Sequence, residues 1–447
     1  MNRKQFILAL SFILSAFHTS EAAKLTFHIT EPTPDVKVTL TLSQSQEKKE
    51  ISIDAYGNGS IELNNFEPQY AIMQYTRGRR TIFLHPDLDL TLSFKGNEMW
   101  KNITYTGEGS AINTYLADKR IRSIARPEMS LNEEEMMKKA DSLYASNCLL
   151  LKEAQLPAYF TNIEKKRLLF RTYYYFTQYP LMHKSDANKP DYVPSAAYYN
   201  HLKNLTIIDA NFLGISEYRD FLPTAIQALC TANHIEEEHL IFTAAQYVDE
   251  NINDAQIAEF LIDKYATDWV YMNGLDEAGT LITLFQKHVK NESSVNNFQK
   301  LCSKWEKLKP GNPGINFSYL DINGKNVTLT DLKGKYVYID VWATWCGPCR
   351  GELPALNSLE KEFAEKDIYF VSLSCDKSKK AWEKMVQQKG LKGIQLHMGT
   401  DKTIMDGYNI NGIPRFILLD RDGKIVSANM SRPSDAKTIQ VLKELLK

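Results

Sequence analysis

The chain has 447 residues, 43% of them hydrophobic and 24% charged, with a formal net charge of −1. That length exceeds one ordinary core and predicts two or three domains. The balanced charge provides no basic field for nucleic acid or an anionic membrane, so no nucleic-acid partner is expected.

At the N-terminus, Arg3 and Lys4 precede the apolar run Phe6–Phe17, and Ser20-Glu21-Ala22 places small residues where a signal peptidase reads. The run of 12 residues is too short to span a bilayer comfortably. Residues 1–22 therefore read as a secretory signal peptide. No Cys stands near the cleavage site to carry a lipid, and no later apolar run is long enough to cross a membrane. An exported protein without a membrane span is the expectation.

Residues 23–107 alternate polar and apolar side chains, as in Lys24–Ile29, Val36–Leu42 and Leu88–Leu92. Turn signals at Tyr56-Gly57-Asn58-Gly59 and Arg77-Gly78-Arg79-Arg80 break the runs. This pattern predicts an N-terminal antiparallel β-sandwich-like domain, with the basic turn as a solvated hairpin tip. Residues 108–308 read as a central α-helical region. Ser130-Leu131-Asn132-Glu133 has the form of a capping box before a helix reaching about Leu151. Helical periodicity continues over 158–178, 215–232, 236–250, 254–268 and 276–307. The Tyr173-Tyr174-Tyr175-Phe176 cluster, with Tyr192, Tyr198 and Tyr199, reads as helix-packing surface rather than a peptide groove.

Lys309-Pro310-Gly311-Asn312-Pro313-Gly314 is the clearest linker. After it, strands and helices alternate through residues 309–447. Strands are predicted over 335–341 and 367–374, helices over 349–366 and 377–389, a hairpin over 415–428, and a closing helix from about 433 to 446. The pattern is that of a compact α/β domain with at least four strands.

Within it, an apolar strand runs directly into Trp345-Cys346-Gly347-Pro348-Cys349, and an amphipathic stretch follows. That order places two thiols at a helix start, where unpaired N–H groups and the backbone dipole favour a thiolate. A thiolate is the species that attacks a disulfide. Cys346, nearest the helix start and expected to be the more exposed of the pair, is the expected nucleophile, with its pKa drawn from about 8.5 towards about 7. Cys349 is the expected resolving thiol. The other cysteines are Cys148, Cys230, Cys302 and Cys375. The first three read as small buried apolar groups in helices. Cys375 reads as a bystander beside its strand. Zinc would need a second Cys/His pair at ligand spacing, and none stands beside these thiols, so no metal is expected.

Four features of residues 311–447 resemble the thioredoxin superfamily, and most closely its TlpA/ResA-like thiol–disulfide oxidoreductases of bacterial envelopes. They are Trp345-Cys346-Gly347-Pro348-Cys349, Asp340 six residues before the first Cys, Gly412-Ile413-Pro414, and the lead-in Phe317–Lys325 with Leu332–Lys335. Pro354 also matches a helix position where thioredoxins carry a kink. The resemblance implies a C-terminal thioredoxin-like fold. It implies a catalytic group of Cys346, Cys349, Asp340 as proton shuttle, and Glu352. A docking surface of Trp345, Gly347, Pro348, Ile413 and a cis Pro414 would meet the substrate. No cofactor is implied beyond a redox-active disulfide between Cys346 and Cys349. Gly347-Pro348 resembles the reducing thioredoxins and implies a reductant in the periplasm or cell envelope. The implied partners are disulfide-bearing exported proteins, with apocytochrome c among the candidates, and a membrane thiol relay as electron donor. Arg415 departs from the small polar residue commoner after this proline. Two alternatives stand beside this reading. One is a peroxiredoxin-like peroxidase, although Ala343 occupies the position where that chemistry places Thr. The other is an envelope binding or scaffold protein with an accessory redox domain.

Overall fold

The computed structural model describes residues 22–233 and 239–447. Of residues 1–22, read as the export signal, residues 1–21 lie outside the described residues. Contacts divide the chain into two compact units, Met1–Ala244 and Ala245–Lys447.

The first unit begins with two four-stranded sheets. One is ordered Asn58–Leu63, Ala23–Thr30, Asp89–Lys95, Thr104–Gly107. The other is ordered Lys48–Ile51, Val38–Leu42, Gln69–Tyr75, Gly78–Leu84. Alternate side chains such as Leu25, Phe27, Leu40, Met73 and Leu92 share one buried core. The pairing is not wholly antiparallel as expected: Ala23–Thr30 runs parallel to Asp89–Lys95. Parallel neighbours require a long crossover, and here residues 31–88 provide it while contributing strands to both sheets.

Helices follow. Glu133–Glu153 is capped by Asn132, whose side chain accepts from Glu135 N, while Glu135 returns a bond to Asn132 N. The capping box therefore lies two residues beyond the predicted one, because Ser130 ends a preceding 3-10 turn. Ala158–Asp186 continues past its predicted end at 178 and carries Pro180 within it. Tyr173, Tyr179 and Tyr198 are buried among neighbouring rings, so the tyrosine cluster packs helices together. At the centre, Arg167 makes a two-pronged bond to Glu164 (2.7 and 2.8 Å), and its third nitrogen reaches Glu217 at 2.5 Å. The Tyr70 hydroxyl donates to Glu164 at 2.6 Å. This network ties a strand to the helices Ala158–Asp186 and Ser216–Cys230.

The second unit contains the helices Ala255–Asn273, Gly279–His288 and Glu292–Glu306. The single helix predicted over 276–307 is two, because Val289 turns extended and Asn291 caps a new start. The linker does not hang free: Gly311 N and Gly314 N donate to Ile425 O and Gly423 O. A seven-stranded sheet follows, ordered Asn326–Thr328, Ser318–Asp321, Ile394–His397, Ile368–Ser374, Tyr336–Trp342, Arg415–Leu419, Ile425–Met430. The buried central strand Tyr336–Trp342 pairs parallel with Ile368–Ser374 and antiparallel with Arg415–Leu419. Tyr338, Phe416 and Leu418 pack with Leu356, Leu359 and Leu442 of the helices Gly347–Glu362 and Ala436–Leu445. By strand alternation Asp340 faces the same way as Tyr338. Among the described residues, no helix is long and apolar enough to cross a membrane.

Candidate functional site

The central strand ends at Trp342, and four residues later Cys346 caps the helix Gly347–Glu362. Pro348 suits the first turn, where its missing N–H has no partner to lose. The Cys346 Sγ accepts from Cys349 N at 3.1 Å, so the helix start presents a donor to that sulfur. Cys346 and Cys349 are joined in a disulfide, with Cα atoms 5.3 Å apart. Both are buried in this state, 5% and 3% exposed. Exposure therefore barely separates them, and position at the helix cap is what distinguishes Cys346. Trp345, by contrast, is 69% exposed beside the disulfide. The Ile413-Pro414 bond is cis, and the Ile413 carbonyl oxygen lies 3.7 Å from Cys346 Sγ. The sheet thus brings Cys346, Cys349, Trp345, Ile413 and Pro414 together from sequence positions almost 70 apart.

The same domain buries the acids Asp340 and Glu352. Asp340 is 4% exposed, and its carboxyl is pushed up to about 8. Loss of hydration is the main cause and the negative charge of Glu352 the second, while a Ser372 hydrogen bond opposes them. No cation pairs with Asp340 among the described residues. Glu352 is also buried, at 8% exposure. Ser434 donates to its two oxygens through N–H (3.1 Å) and hydroxyl (3.0 Å), and Arg432 Nη1 stands 3.7 Å away. Glu360, further along this helix, is also raised, to about 7, by burial.

The loop before Cys346 is clamped from the neighbouring strand. Thr344 donates its N–H (2.9 Å) and hydroxyl (2.7 Å) to the two oxygens of buried Asp376, and Ser374 adds a third bond at 2.8 Å. Sequence reasoning missed Ser434, Arg432, Ser372 and Asp376. Their signals are faint: a Ser-Asp pair before the last helix, and an Asp just past a strand. Cys148, Cys230, Cys302 and Cys375 are free, and burial pushes the Cys230, Cys302 and Cys375 thiols up. Among the described residues, no three His, Cys, Asp or Glu side chains are placed to hold a metal.

This arrangement has the parts for thiol–disulfide exchange: an exposed Trp345, a sulfur at a helix cap, a partner sulfur bonded to it, and a buried acid able to exchange a proton near neutrality. A family model described as Redoxin matches residues 309–445. The thiol-disulfide oxidoreductase ResA of Bacillus anthracis is 35% identical over 129 residues, 29% of this chain and 74% of that protein. ResA of Bacillus subtilis is 32% identical over 121 residues, 27% of this chain and 67% of its own. The solution structure of a candidate thiol-disulfide oxidoreductase from Bacteroides vulgatus is 74% identical, covering 31% of this chain and 91% of that one, with a TM-score of 0.29.

Proposed function

Because the chain belongs, through residues 309–445, to the ResA-like thiol–disulfide oxidoreductases of the thioredoxin superfamily, we propose that it reduces disulfides of exported proteins in the cell envelope. The observation that carries this reading is the Cys346–Cys349 disulfide at a helix cap, with the uncompensated acid Asp340 buried in the same domain.

In the reduced protein, the Cys346 thiolate attacks a substrate disulfide, and one substrate sulfur leaves as a thiolate that takes up a proton. Cys349 then gives its proton to Asp340 in the fraction of molecules whose Asp340 carboxyl is ionised, and attacks Cys346 Sγ. The second substrate thiolate departs, and the Cys346–Cys349 disulfide remains. Two electrons pass from the protein to the substrate. Returning the protein to its dithiol form reverses the proton path: Asp340 protonates Cys349 as that sulfur leaves. A carboxyl near 8 suits both directions, because a thiol of ordinary pKa lies close to it. Glu352 sets the charge against which Asp340 titrates. Trp345, Gly347, Pro348, Ile413 and Pro414 form the surface that meets the polypeptide.

Export by residues 1–22, the reducing direction implied by Gly347-Pro348, and a membrane thiol relay as electron source belong to the same proposal. Residues 23–308 would then select among exported substrates, with apocytochrome c one class to test. Trapping decides the matter. Cys349→Ser should accumulate mixed disulfides through Cys346 that dissolve on reduction, and Cys346→Ser should accumulate none. Equal trapping by both variants, or by neither, would contradict the assignment.

A further inference from the structure

Arg415 follows the cis proline, yet it does not face the substrate side. It is 95% buried by its 5% exposure, and its guanidinium lies over the Trp305 ring, 5.6 Å from the centroid. Its Nη2 donates to the carbonyl oxygen of Met272 at 3.4 Å. The Asn429 side chain donates to the same oxygen at 3.1 Å. That carbonyl belongs to the last turn of Ala255–Asn273, where carbonyls lack helical partners and the dipole favours a cation. The joint is tightly fitted. Gly274 ends the helix at φ +85°, and a Cβ there would meet the Trp305 ring at 2.9 Å, so both conformation and space demand glycine. No acid pairs with Arg415 among the described residues, and its Nη1 has no hydrogen-bond partner there. A buried guanidinium is costly unless the contacts it makes matter.

The chain path from this joint to the sulfur is short. Arg415 is bonded to Pro414, and the next residue back, Ile413, places its carbonyl oxygen against Cys346 Sγ. We propose that Arg415 is a positioning residue, fixing the Gly412–Pro414 loop to the helix Ala255–Asn273, so that the loop is held ready to receive an extended, disulfide-bearing polypeptide. The inference rests on the proposed function. It assigns part of the helical region a task inside the redox site: the helix end sets where the loop's backbone meets the substrate chain. A polypeptide aligned along that backbone depends on its placement, since small misplacements of bound groups cost large factors in rate.

The test uses the full chain and a peptide closed by one disulfide. Arg415→Ala should raise KM for the peptide about tenfold while kcat changes less than about twofold. Arg415→Lys, which keeps a cation for the Met272 carbonyl, should recover most of the loss. Asn429→Ala, which loosens the same acceptor from a less buried position, should raise KM about threefold. The Arg415→Ala/Asn429→Ala pair should be non-additive, because both residues hold one oxygen. Wild-type KM in both single variants would overturn the proposal, as would a fall in kcat with KM unmoved. If Arg415→Ala does not fold, Asn429→Ala decides on the same criterion. A wild-type protein unable to reduce the peptide would instead refute the proposed function, a result distinct from variants that match an active wild type.

Discussion

A buried ion pair in the first unit and one buried acid of the second are treated in opposite ways. In the first, Glu164 and Arg167 are fully enclosed, yet every charge has a partner: a two-pronged bond, the Tyr70 hydroxyl and Glu217. In the second, Asp340 is as deeply buried but meets another acid instead of a cation. A paired buried charge keeps its ionisation and holds elements in register. An unpaired acid keeps its proton until the reaction removes it. On the proposed function, the first arrangement is architecture, and the second is chemistry held at the expense of stability.

Exchanging partners should separate the two roles. Arg167→Met leaves Glu164 buried without its cation, and should lower unfolding stability of the first unit by about 3–5 kcal/mol in denaturant melts. Disulfide exchange by the protein that remains folded should be unaltered. Asp340→Asn should do the reverse, slowing exchange about 10²-fold with no loss of stability at neutral pH. If Arg167→Met slowed exchange in folded protein, or Asp340→Asn proved the more destabilising, the contrast would collapse.

A pH series sharpens it. The Asp340 carboxyl titrates at about 8 in the folded protein against an ordinary 3.8. Between those values the native state holds a proton that the unfolded chain has released. Its contribution is therefore complete below about pH 4 and declines as pH rises to about 8, by at most about 1.4 kcal/mol per pH unit. Asp340→Asn should flatten this part of the profile when the two proteins are melted at two pH values within the window. Arg167 and Glu217 predict no comparable slope, because the first is held above the ordinary guanidinium range and the second below the ordinary carboxylate range. Smallest is Ser434→Ala, which removes one donor from Glu352 and should cost about 1 kcal/mol. Glu352→Gln, which removes the neighbouring charge, should lower the midpoint of the Asp340 titration followed by carboxyl-resolved NMR; an unmoved midpoint would show that the Glu352 charge does not reach Asp340.

The sequence announced this site unevenly. Cys346 and Cys349 were readable because a strand, a Cys-x-x-Cys and a helix follow one another without a break, whereas Asp340 and Pro414 were readable only through the resemblance to the thioredoxin superfamily. Glu352 was readable as a position on the helix but not as a buried group, since Ser434, which seals it, arrives 82 residues later. Arg415 was visible only as a departure, because its contacts, Met272 and Trp305, lie more than 100 residues upstream. Elements with strong period were placed well, as with Tyr336–Trp342. The joint at Val289–Asn291 was hidden because apolar spacing continues through it, and the parallel pairing of Ala23–Thr30 because alternation does not record strand direction. Such long-range contacts leave no local pattern.

The central claim is that Asp340 carries the proton of Cys349, and the rate at which a small thiol reduces the Cys346–Cys349 disulfide tests it most directly. Measured across pH by stopped flow and corrected for the ionisation of the attacking thiol, the wild-type rate should fall above an inflection near 8, where Asp340 loses the proton it supplies. Asp340→Asn should be slow and without that inflection. An Asp340→Asn profile of wild-type shape and rate would contradict the account.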